Sequence, residues 1–246
     1  MNKKVALVTG GASGLGEEIS RYLGSKNINL VITYNTSYDK AVNLKEELET
    51  KYGIKVLLIK CDIKEEKEII EMIKKIDEEF DHIDYLVNNA AICIDSLYNE
   101  KTKSNFMKTL EINVVGTFLV SRLIADKMYE SKKGSIVNLS STNGIDKYFP
   151  MSLDYDASKS AINSLTHNLA LQYSPYVRVN AVAPGWVKTE NEMKDLDEDY
   201  IKSEEEKIFV KRFAEKEEIA KVIYFLLSDD SSYINNQVIK VDGGMY

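Results

Sequence analysis

The chain has 246 residues, of which 44% are hydrophobic and 29% charged, and its formal net charge is −7. This length and apolar content suffice for one sizeable core, so we expect a single domain. An acidic chain without a basic cluster does not have the electrostatic footprint of nucleic-acid binding. Since no apolar run approaches the roughly 20 residues of a membrane span, we expect a cytoplasmic protein without a membrane partner.

The first predicted element is a short buried strand at 5–9, which runs directly into a glycine-rich segment at 10–16. A helix opens there, because apolar residues recur at helical spacing at Leu15, Ile19, Tyr22 and Leu23. Glycines let backbone amides approach a pyrophosphate, and the helix presents its positive N-terminal end to that anion. A tight turn without a ligand has the same composition, but the position between strand and helix favours a dinucleotide site.

The second predicted strand, 30–33, ends where such sites select their cofactor. An Asp or Glu about 20 residues beyond the glycine loop normally binds the ribose 2′-hydroxyl and repels a 2′-phosphate. Tyr34 occupies that position, and Asn35, Thr36 and Ser37 follow it with side chains that can donate to phosphate oxygens. Because Ser13 and Lys40 are expected nearby, the sequence favours NADP(H) over NAD(H).

The rest of the chain continues the alternation of apolar strands and helical segments. Further strands are predicted at 56–59, 85–88, 135–139, 177–182 and 238–241, and helices near 38–51, 65–80, 104–130, 153–173 and 216–227. Strands separated by helices imply right-handed crossovers and a parallel sheet covered on both faces. We therefore predict an α/β, doubly wound Rossmann fold with seven strands, whose ligands lie beyond the carboxyl ends of the strands.

Two residues on the predicted helix at 153–173 point to acid–base chemistry. Tyr155 and Lys159 are four positions apart and so share one helix face, where the lysine ammonium favours the ionised form of the phenol. Ser141 lies just beyond the strand at 135–139. Taken alone, the Tyr–Lys pair also fits an ordinary surface pair on a helix.

These features together resemble the short-chain dehydrogenase/reductase family over essentially the whole chain. The matching segments are the glycine loop at 9–16, Asn88-Asn89-Ala90-Ala91, Asn113, the set Ser141, Tyr155 and Lys159, the loop at 184–189, and the ending at 241–246. The resemblance implies that segment 188–212 is a substrate lid, although its acidity also fits a solvated helix face.

The resemblance further implies a cofactor site. Asp62 would accept a hydrogen bond from the adenine amino group, whereas its alternative role is to cap the helix that follows. The implied cofactor-binding residues are Gly10, Ser13, Gly14, Leu15, Gly16, Tyr34, Asn35, Thr36, Asp62, Ile63, Asn89, Ala90, Ala91, Tyr155, Lys159, Pro184, Gly185, Val187 and Thr189.

The catalytic roles follow from what carbonyl reduction requires: a donor aimed at the developing oxyanion and a source of protons. By resemblance, Ser141 holds the carbonyl, Tyr155 supplies the proton, and Lys159 also binds the nicotinamide ribose. Asn113 would hold a water that passes protons to Lys159. A core amide bonded to backbone is the alternative for Asn113, because an unsatisfied buried amide costs roughly 1–3 kcal/mol.

Other chemistries have little support. The two histidines and two cysteines stand in no metal-ligand spacing, so we predict no metal. Cys61 and Cys93 each adjoin an apolar segment, which favours buried thiols in a reducing compartment.

Within the family, the chain most resembles the 3-oxoacyl-[acyl-carrier-protein] reductase group, which implies NADPH-dependent reduction of a 3-oxoacyl thioester in fatty acid biosynthesis. Three departures are Ile-Cys-Ile-Asp at 92–95 where that group often has Ile-Thr-Arg-Asp, Leu171 where it tends to carry an arginine linked to carrier-protein docking, and Ala91 in place of Gly. Lys132 and Lys133 could supply another basic docking point for the carrier protein. The alternatives are another small ketone, alcohol or sugar as substrate, and a dinucleotide-sensing regulator without catalysis.

The quaternary structure is predicted from helix composition. The predicted helices at 106–128 and 153–173 carry apolar residues on more than one side, which exceeds what one sheet face can cover. Because the ending at 243–246 also has no charged side chain, we expect two distinct two-fold interfaces and a homotetramer.

Overall fold

The computed structural model of the protein describes residues 3–194 and 196–246. Its strands are β1 (Val5–Val8), β2 (Asn29–Tyr34), β3 (Val56–Lys60), β4 (Tyr85–Asn88), β5 (Gly134–Leu139), β6 (Val177–Pro184) and β7 (Val238–Val241). They form one sheet in the order β3-β2-β1-β4-β5-β6-β7, in which every neighbouring pair is parallel. The predicted seven-stranded parallel sheet is confirmed.

The helices of the described residues cover both faces of this sheet. They are α1 (Gly14–Ser25), α2 (Tyr38–Tyr52), α3 (Glu66–Glu79), α4 (Lys103–Leu110), α5 (Thr117–Glu130), α6 (Leu153–Tyr173), α7 (Glu190–Met193), α8 (Glu198–Glu206) and α9 (Lys216–Leu227). One core lies under α1, α2 and α9, and the other lies under α3, α5 and α6.

Strand β1 shows how the sequence builds these two cores. Its side chains point alternately to opposite faces, as the period of two requires. Ala6 and Val8 therefore enter the first core, and Val5 and Leu7 enter the second. A strand buried on both faces is apolar at every position, which is why β1 was recognisable as a continuous apolar run.

The order of the strands reverses its direction between β1 and β4. The chain moves outward from β1 through β2 to β3, then returns to β4 on the other side of β1 and continues to β7. The crossovers leave a crevice at the carboxyl ends of these two strands, where doubly wound folds bind their ligands. The glycine loop follows β1 at this point, and Asn89 follows β4.

The prediction of one continuous helix over 104–130 is wrong in the middle of that segment. A wider, π-type turn at Glu111–Gly116 separates α4 from α5. A Cβ atom at Gly116 would lie 2.7 Å from the carbonyl oxygen of Ile63, so the chain passes very close to the segment after β3. Wider turns of this kind often lie at functional sites, and this one contains Asn113.

None of the helices in the described part of the chain combines the length and apolar character that a bilayer crossing requires.

Candidate active site

A cavity of about 1030 Å³ runs along the carboxyl ends of the strands, from the glycine loop past Tyr155 to α8. The predicted cofactor-binding residues line it, except for Gly16, Lys159, Pro184 and Val187. Of the predicted catalytic residues, Ser141 and Tyr155 line the cavity, whereas Asn113 and Lys159 lie behind its wall. The fold thus brings most of the predicted site to one continuous surface.

The glycine loop leaves room for a ligand at the start of α1. Gly10 and Gly14 have φ angles of +60° and +56°, in the left-handed region that favours glycine. A Cβ atom at Gly14 would meet nothing within 4 Å, so this position faces open space. The first amides of α1 have no partners within the helix, which makes this end a suitable anion site.

Asn89 braces this loop from β4. Its Nδ2 donates to the carbonyl oxygens of Thr9 and Gly10 at 3.0 and 3.1 Å. The hydroxyl oxygen of Thr9 accepts the backbone N–H groups of Asn89 and Ala90 at 3.0 and 3.1 Å. Gly16 packs against the same brace, because a Cβ atom there would lie 2.3 Å from Gly10 O and 2.5 Å from Asn89 Nδ2.

The end of β2 contributes uncharged polar side chains to the cavity. Tyr34, Asn35 and Thr36 all line it. Lys40, which was expected to help bind a phosphate, forms an exposed ion pair with Glu190 of α7 at 3.3 Å. This ion pair joins the predicted cofactor end of the cavity to the predicted lid.

Asp62 lines the cavity but does not cap a helix. Glu65 occupies the N-cap position of α3, without a side-chain cap hydrogen bond, and the Asp62 carboxylate instead accepts the backbone N–H of Lys64 at 3.1 Å. The capping alternative for Asp62 is therefore wrong, because the chain makes a short turn before α3 begins.

Ser141 caps a short 3₁₀ turn at Thr142–Gly144, directly after β5. Its Oγ accepts the backbone N–H of Asn143 at 3.2 Å and donates weakly to Asn143 Oδ1 at 3.4 Å. Tyr155 lies in the first turn of α6. One side chain thus comes from a strand end and the other from a helix start, and both line the same cavity.

Lys159 lies beneath Tyr155, as the four-residue spacing predicted. Its Nζ is 5.3 Å from the centroid of the Tyr155 ring and donates to the carbonyl oxygen of Leu139 at 2.6 Å. The residue is only 4% exposed, and this burial lowers the pKa of Lys159 to about 8. The ammonium is therefore largely charged at neutral pH and loses its proton in mildly alkaline solution.

The side chain of Asn113 is bonded to protein groups. Its Oδ1 accepts the backbone N–H of Ile92 at 2.8 Å, and its Nδ2 donates to Ile92 O at 2.9 Å and to Ser158 Oγ at 3.0 Å. This is the arrangement that the core-amide alternative predicted. The role of Asn113 in holding a water stays a prediction.

The segment predicted as a lid contains α7 and α8, and one of its acidic residues is buried. Glu204 is 7% exposed, and its carboxylate accepts Trp186 Nε1–H at 3.2 Å and pairs with Lys207 at 2.5 Å. The solvated-face interpretation is wrong for this residue. Three further residues line the cavity that were not predicted to do so: Trp186, Glu204 and Lys207. The available signal in the sequence was the lone tryptophan after Pro-Gly.

The other two predicted cofactor-binding residues outside the cavity wall, Pro184 and Val187, lie where β6 leads into the cavity loop. Pro184 ends β6, and Val187 is buried and pairs with Ala214. They fix the loop that places Gly185, Trp186 and Thr189 at the cavity.

One of the two cysteines differs from expectation. Cys61 is buried, which raises its pKa to about 12, but Cys93 is exposed, lines the cavity and donates to Asp95 Oδ1 at 3.1 Å. The segment after β4 carries Cys93 over the cavity and not into the core. Within residues 3–194 and 196–246, no three His, Cys, Asp or Glu side chains are grouped to hold a metal ion.

Comparison with known proteins identifies the family. Residues 10–246 match the family model described as "Enoyl-(Acyl carrier protein) reductase". The chain belongs to the short-chain dehydrogenase/reductase family. It is an NAD(P)-dependent oxidoreductase that acts on CH–OH groups and the corresponding ketones.

Several curated members of this family align along nearly the whole chain. The 3-oxoacyl-[acyl-carrier-protein] reductase FabG of Aquifex aeolicus is 36% identical over 244 residues, which are 99% of this chain and 97% of the relative. The levodione reductase of Leifsonia aquatica is 37% identical over 250 residues (98% and 93%), and the glucose 1-dehydrogenase 2 of Bacillus subtilis is 30% identical over 246 (98% and 94%).

A solved structure supports the same assignment. The crystal structure of levodione reductase superposes with a TM-score of 0.90 at 33% identity and covers 98% of this chain and 96% of that one. The short-chain dehydrogenase/reductase fold therefore covers 98% of this chain.

Proposed function

We propose that this short-chain dehydrogenase/reductase is an NADPH-dependent reductase that converts a 3-oxoacyl thioester on acyl carrier protein to the 3-hydroxyacyl form, as in fatty acid biosynthesis. The observation that carries the carbonyl chemistry is the placement of Ser141 and Tyr155 on one cavity with the Lys159 ammonium beneath the tyrosine ring. The FabG relatives support the thioester substrate. The levodione and glucose relatives support the alternative of another small ketone, alcohol or sugar.

The residues at the cavity fit a nicotinamide dinucleotide. The open side of Gly14 and the free amides of α1 suit a pyrophosphate, and the uncharged side chains after β2 suit a 2′-phosphate. Lys159 is a buried cation bonded to a carbonyl, and ribose hydroxyls would add acceptors for its remaining N–H groups. When bound, the nicotinamide supplies the hydride.

The protein's own residues then handle the oxygen of the substrate. As hydride reaches the carbonyl carbon, the oxygen becomes negative, and the Ser141 hydroxyl donates a hydrogen bond to it. The Tyr155 phenol gives its proton to that oxygen, which completes the hydroxyl group of the product. The positive charge of Lys159 favours the phenolate that remains until a proton is returned to it.

An assay of NADPH oxidation over several ketones tests this function. We expect turnover with a 3-oxoacyl thioester on acyl carrier protein, and slower turnover with the same acyl group on a short pantetheine thiol. Faster reduction of a cyclic diketone, or faster oxidation of a sugar in the reverse reaction, would favour the alternative substrates. If NADPH binds but neither 3-oxoacyl thioester is reduced, the proposed substrate is wrong.

The cofactor preference depends on Tyr34. We expect kcat/KM to be higher with NADPH than with NADH, and Tyr34→Asp to shift the ratio toward NADH because a carboxylate repels the 2′-phosphate. Tyr34→Phe is the matched control, since it keeps the ring and adds no charge. Equal use of NADH by the unaltered protein would contradict the assignment.

The low pKa of Lys159 gives cofactor binding a pH dependence. If the charged ammonium binds the ribose hydroxyls, the Kd for NADPH should be flat below pH about 8 and should then rise by up to tenfold per pH unit as the proton is lost. Fluorescence titrations between neutral and alkaline pH measure this rise. The Lys159→Met variant should bind NADPH more weakly, but its Kd should not rise with pH above about 8. If the Kd of that variant still rises there, the pH dependence comes from a group other than Lys159.

We also propose a homotetramer. Apolar side chains on α4, α5 and α6 remain exposed, including Met107, Phe118 and Leu153, and Leu171 is 81% exposed. Phe209 and Tyr246 form a second exposed pair at the carboxyl end, with ring centroids 5.7 Å apart. Light scattering should give about four times the 27.9 kDa chain mass. An active monomer would contradict this proposal.

We further propose that the enzyme docks an acyl carrier protein and that it is located in the cytoplasm. An acidic carrier protein needs basic side chains, and the exposed Leu171 offers none, so Lys132 and Lys133 are the proposed docking point. Both cysteines are free thiols, which suits a reducing cytoplasm.

A further inference from the structure

We infer that Asp156, next to Tyr155 on α6, is a positioning residue that acts on the proposed catalytic serine through the side chain of Asn143. The inference rests on the proposed carbonyl reduction and assigns a role to two residues that the sequence motifs did not single out. Asn143 lines the cavity beside Ser141. Asp156 is 8% exposed and faces the 3₁₀ turn that Ser141 begins.

The carboxylate of Asp156 is the centre of a network with three donors. Its Oδ1 accepts Asn143 Nδ2–H at 2.8 Å and the Ser152 hydroxyl at 2.7 Å. Its Oδ2 accepts the backbone N–H of Phe149 at 3.1 Å. A buried carboxylate held by three donors cannot turn freely, so it is a fixed point for the groups bonded to it.

The chemistry of this network decides which way the Asn143 amide faces. A carboxylate only accepts hydrogen bonds, so Asn143 must present its NH₂ group to Asp156. Its carbonyl oxygen then lies on the other side, where Ser141 Oγ is 3.4 Å away. The amide therefore offers an acceptor, and not a second donor, to the serine hydroxyl.

This arrangement prepares Ser141 as a donor. The backbone N–H of Asn143 already occupies one lone pair of Ser141 Oγ at 3.2 Å. The weak acceptor at Asn143 Oδ1 keeps the hydroxyl hydrogen on the side of the amide until a stronger acceptor, the substrate oxygen, takes its place. If the amide turned over, two donors would converge on Ser141 Oγ and the hydroxyl would lose its orientation.

Asp156→Asn removes the constraint, because an amide at position 156 can pair with Asn143 in either orientation. The test is a double-mutant cycle in kcat at saturating NADPH, using Asp156→Asn, Ser141→Ala and both together. We expect Asp156→Asn to lower kcat about tenfold in the unaltered protein but less than twofold in the Ser141→Ala background, since the group that it positions is then gone. The Kd for NADPH should stay within about twofold.

A purely structural role for Asp156 would lower kcat equally in both backgrounds, and that result overturns the inference, as does unchanged kcat in Asp156→Asn. If this variant does not fold, Asn143→Ala serves instead, because it leaves the other two donors to Asp156 in place. It should show the same non-additivity with Ser141→Ala.

Thr109→Val is the matched control. Thr109 donates to Asp154, the buried acid on the other side of Tyr155, at 2.6 Å, and it has no bond to Asn143 or Ser141. Loss of the Thr109 hydroxyl should lower thermal stability but leave kcat within about twofold, because no hydrogen bond leads from Thr109 to Ser141.

A readout without turnover separates this inference from the proposed function. In ¹⁵N NMR spectra, the side-chain amide of Asn143 and the backbone amide at 143 should shift in Asp156→Asn and not in Thr109→Val. An unaltered protein that reduces no ketone removes the proposed function, whereas unshifted Asn143 signals in Asp156→Asn remove the inference alone.

Discussion

Replacing Tyr155 with phenylalanine is expected to lower kcat for ketone reduction by at least about 10²-fold, because the reaction loses its general acid. The ring stays in place above the Lys159 ammonium, 5.3 Å from its centroid, so the packing of the site is retained. The Kd for NADPH should change little, and stopped-flow or steady-state assays at saturating NADPH isolate the effect on kcat.

The matched control lies on the same helix. Tyr173 is also in α6, and its hydroxyl donates to Asp126 at 2.8 Å, far along the helix from the cavity. Tyr173→Phe removes a hydroxyl of the same kind at a cost of about 1 kcal/mol in stability, without touching the cavity. Near-normal turnover in Tyr155→Phe would remove Tyr155 from the mechanism.

The sheet was predictable because burial on both faces makes its strands continuous apolar runs. β4 and β7 have the predicted bounds, 85–88 and 238–241, and β6 continues two residues beyond its predicted end, to Pro184. That the candidate site residues lie close together was also predictable from the parallel sheet. In a parallel sheet, the ends of β1, β2, β4, β5 and β6 meet at one edge, so motifs far apart in sequence converge there.

What could not be predicted depends on contacts between distant segments. The π-type turn at Glu111–Gly116 arises where Gly116 passes Ile63 closely, and local helix propensity carries no sign of that approach. The burial of Glu204 similarly depends on an indole 18 residues away. An acidic helix with one buried carboxylate has the same composition as a fully solvated one.

The network around Asp156 was hidden for a related reason. Acidic residues in the first turn of a helix are common because they interact favourably with the helix dipole, and Asp156 fits that general role. Only the fold reveals that its carboxylate bonds to Asn143, 13 residues earlier.

The second large effect is expected at Gly16, which the sequence placed among the cofactor-binding residues and which the structure places behind the glycine loop. Gly16→Ala would set a Cβ atom 2.3 Å from the carbonyl oxygen of Gly10 and 2.5 Å from Asn89 Nδ2. Both neighbours belong to the brace that holds the loop, so the loop or α1 must move.

A displaced loop no longer aims its amides at the pyrophosphate. Loss of two charge-assisted hydrogen bonds, at about 1.5 kcal/mol each, weakens binding by about 3 kcal/mol, or at least about 10²-fold in the Kd for NADPH. Gly53→Ala is the control for introducing a methyl group, since Gly53 has a φ of +61° and open space around it, far from the cavity at the end of α2. That variant should lose about 1 kcal/mol of stability and bind NADPH normally.

Fluorescence titration and thermal melts together separate the two effects of Gly16→Ala. A folded variant that no longer gains stability from added NADPH would place the defect in the loop, because ligand stabilisation depends directly on the Kd. Unchanged affinity would mean that Asn89 moves aside and leaves the amides in place, and the brace would then be dispensable. The outcome therefore decides whether the cofactor end of the cavity is set by the glycine loop alone or by its packing against β4.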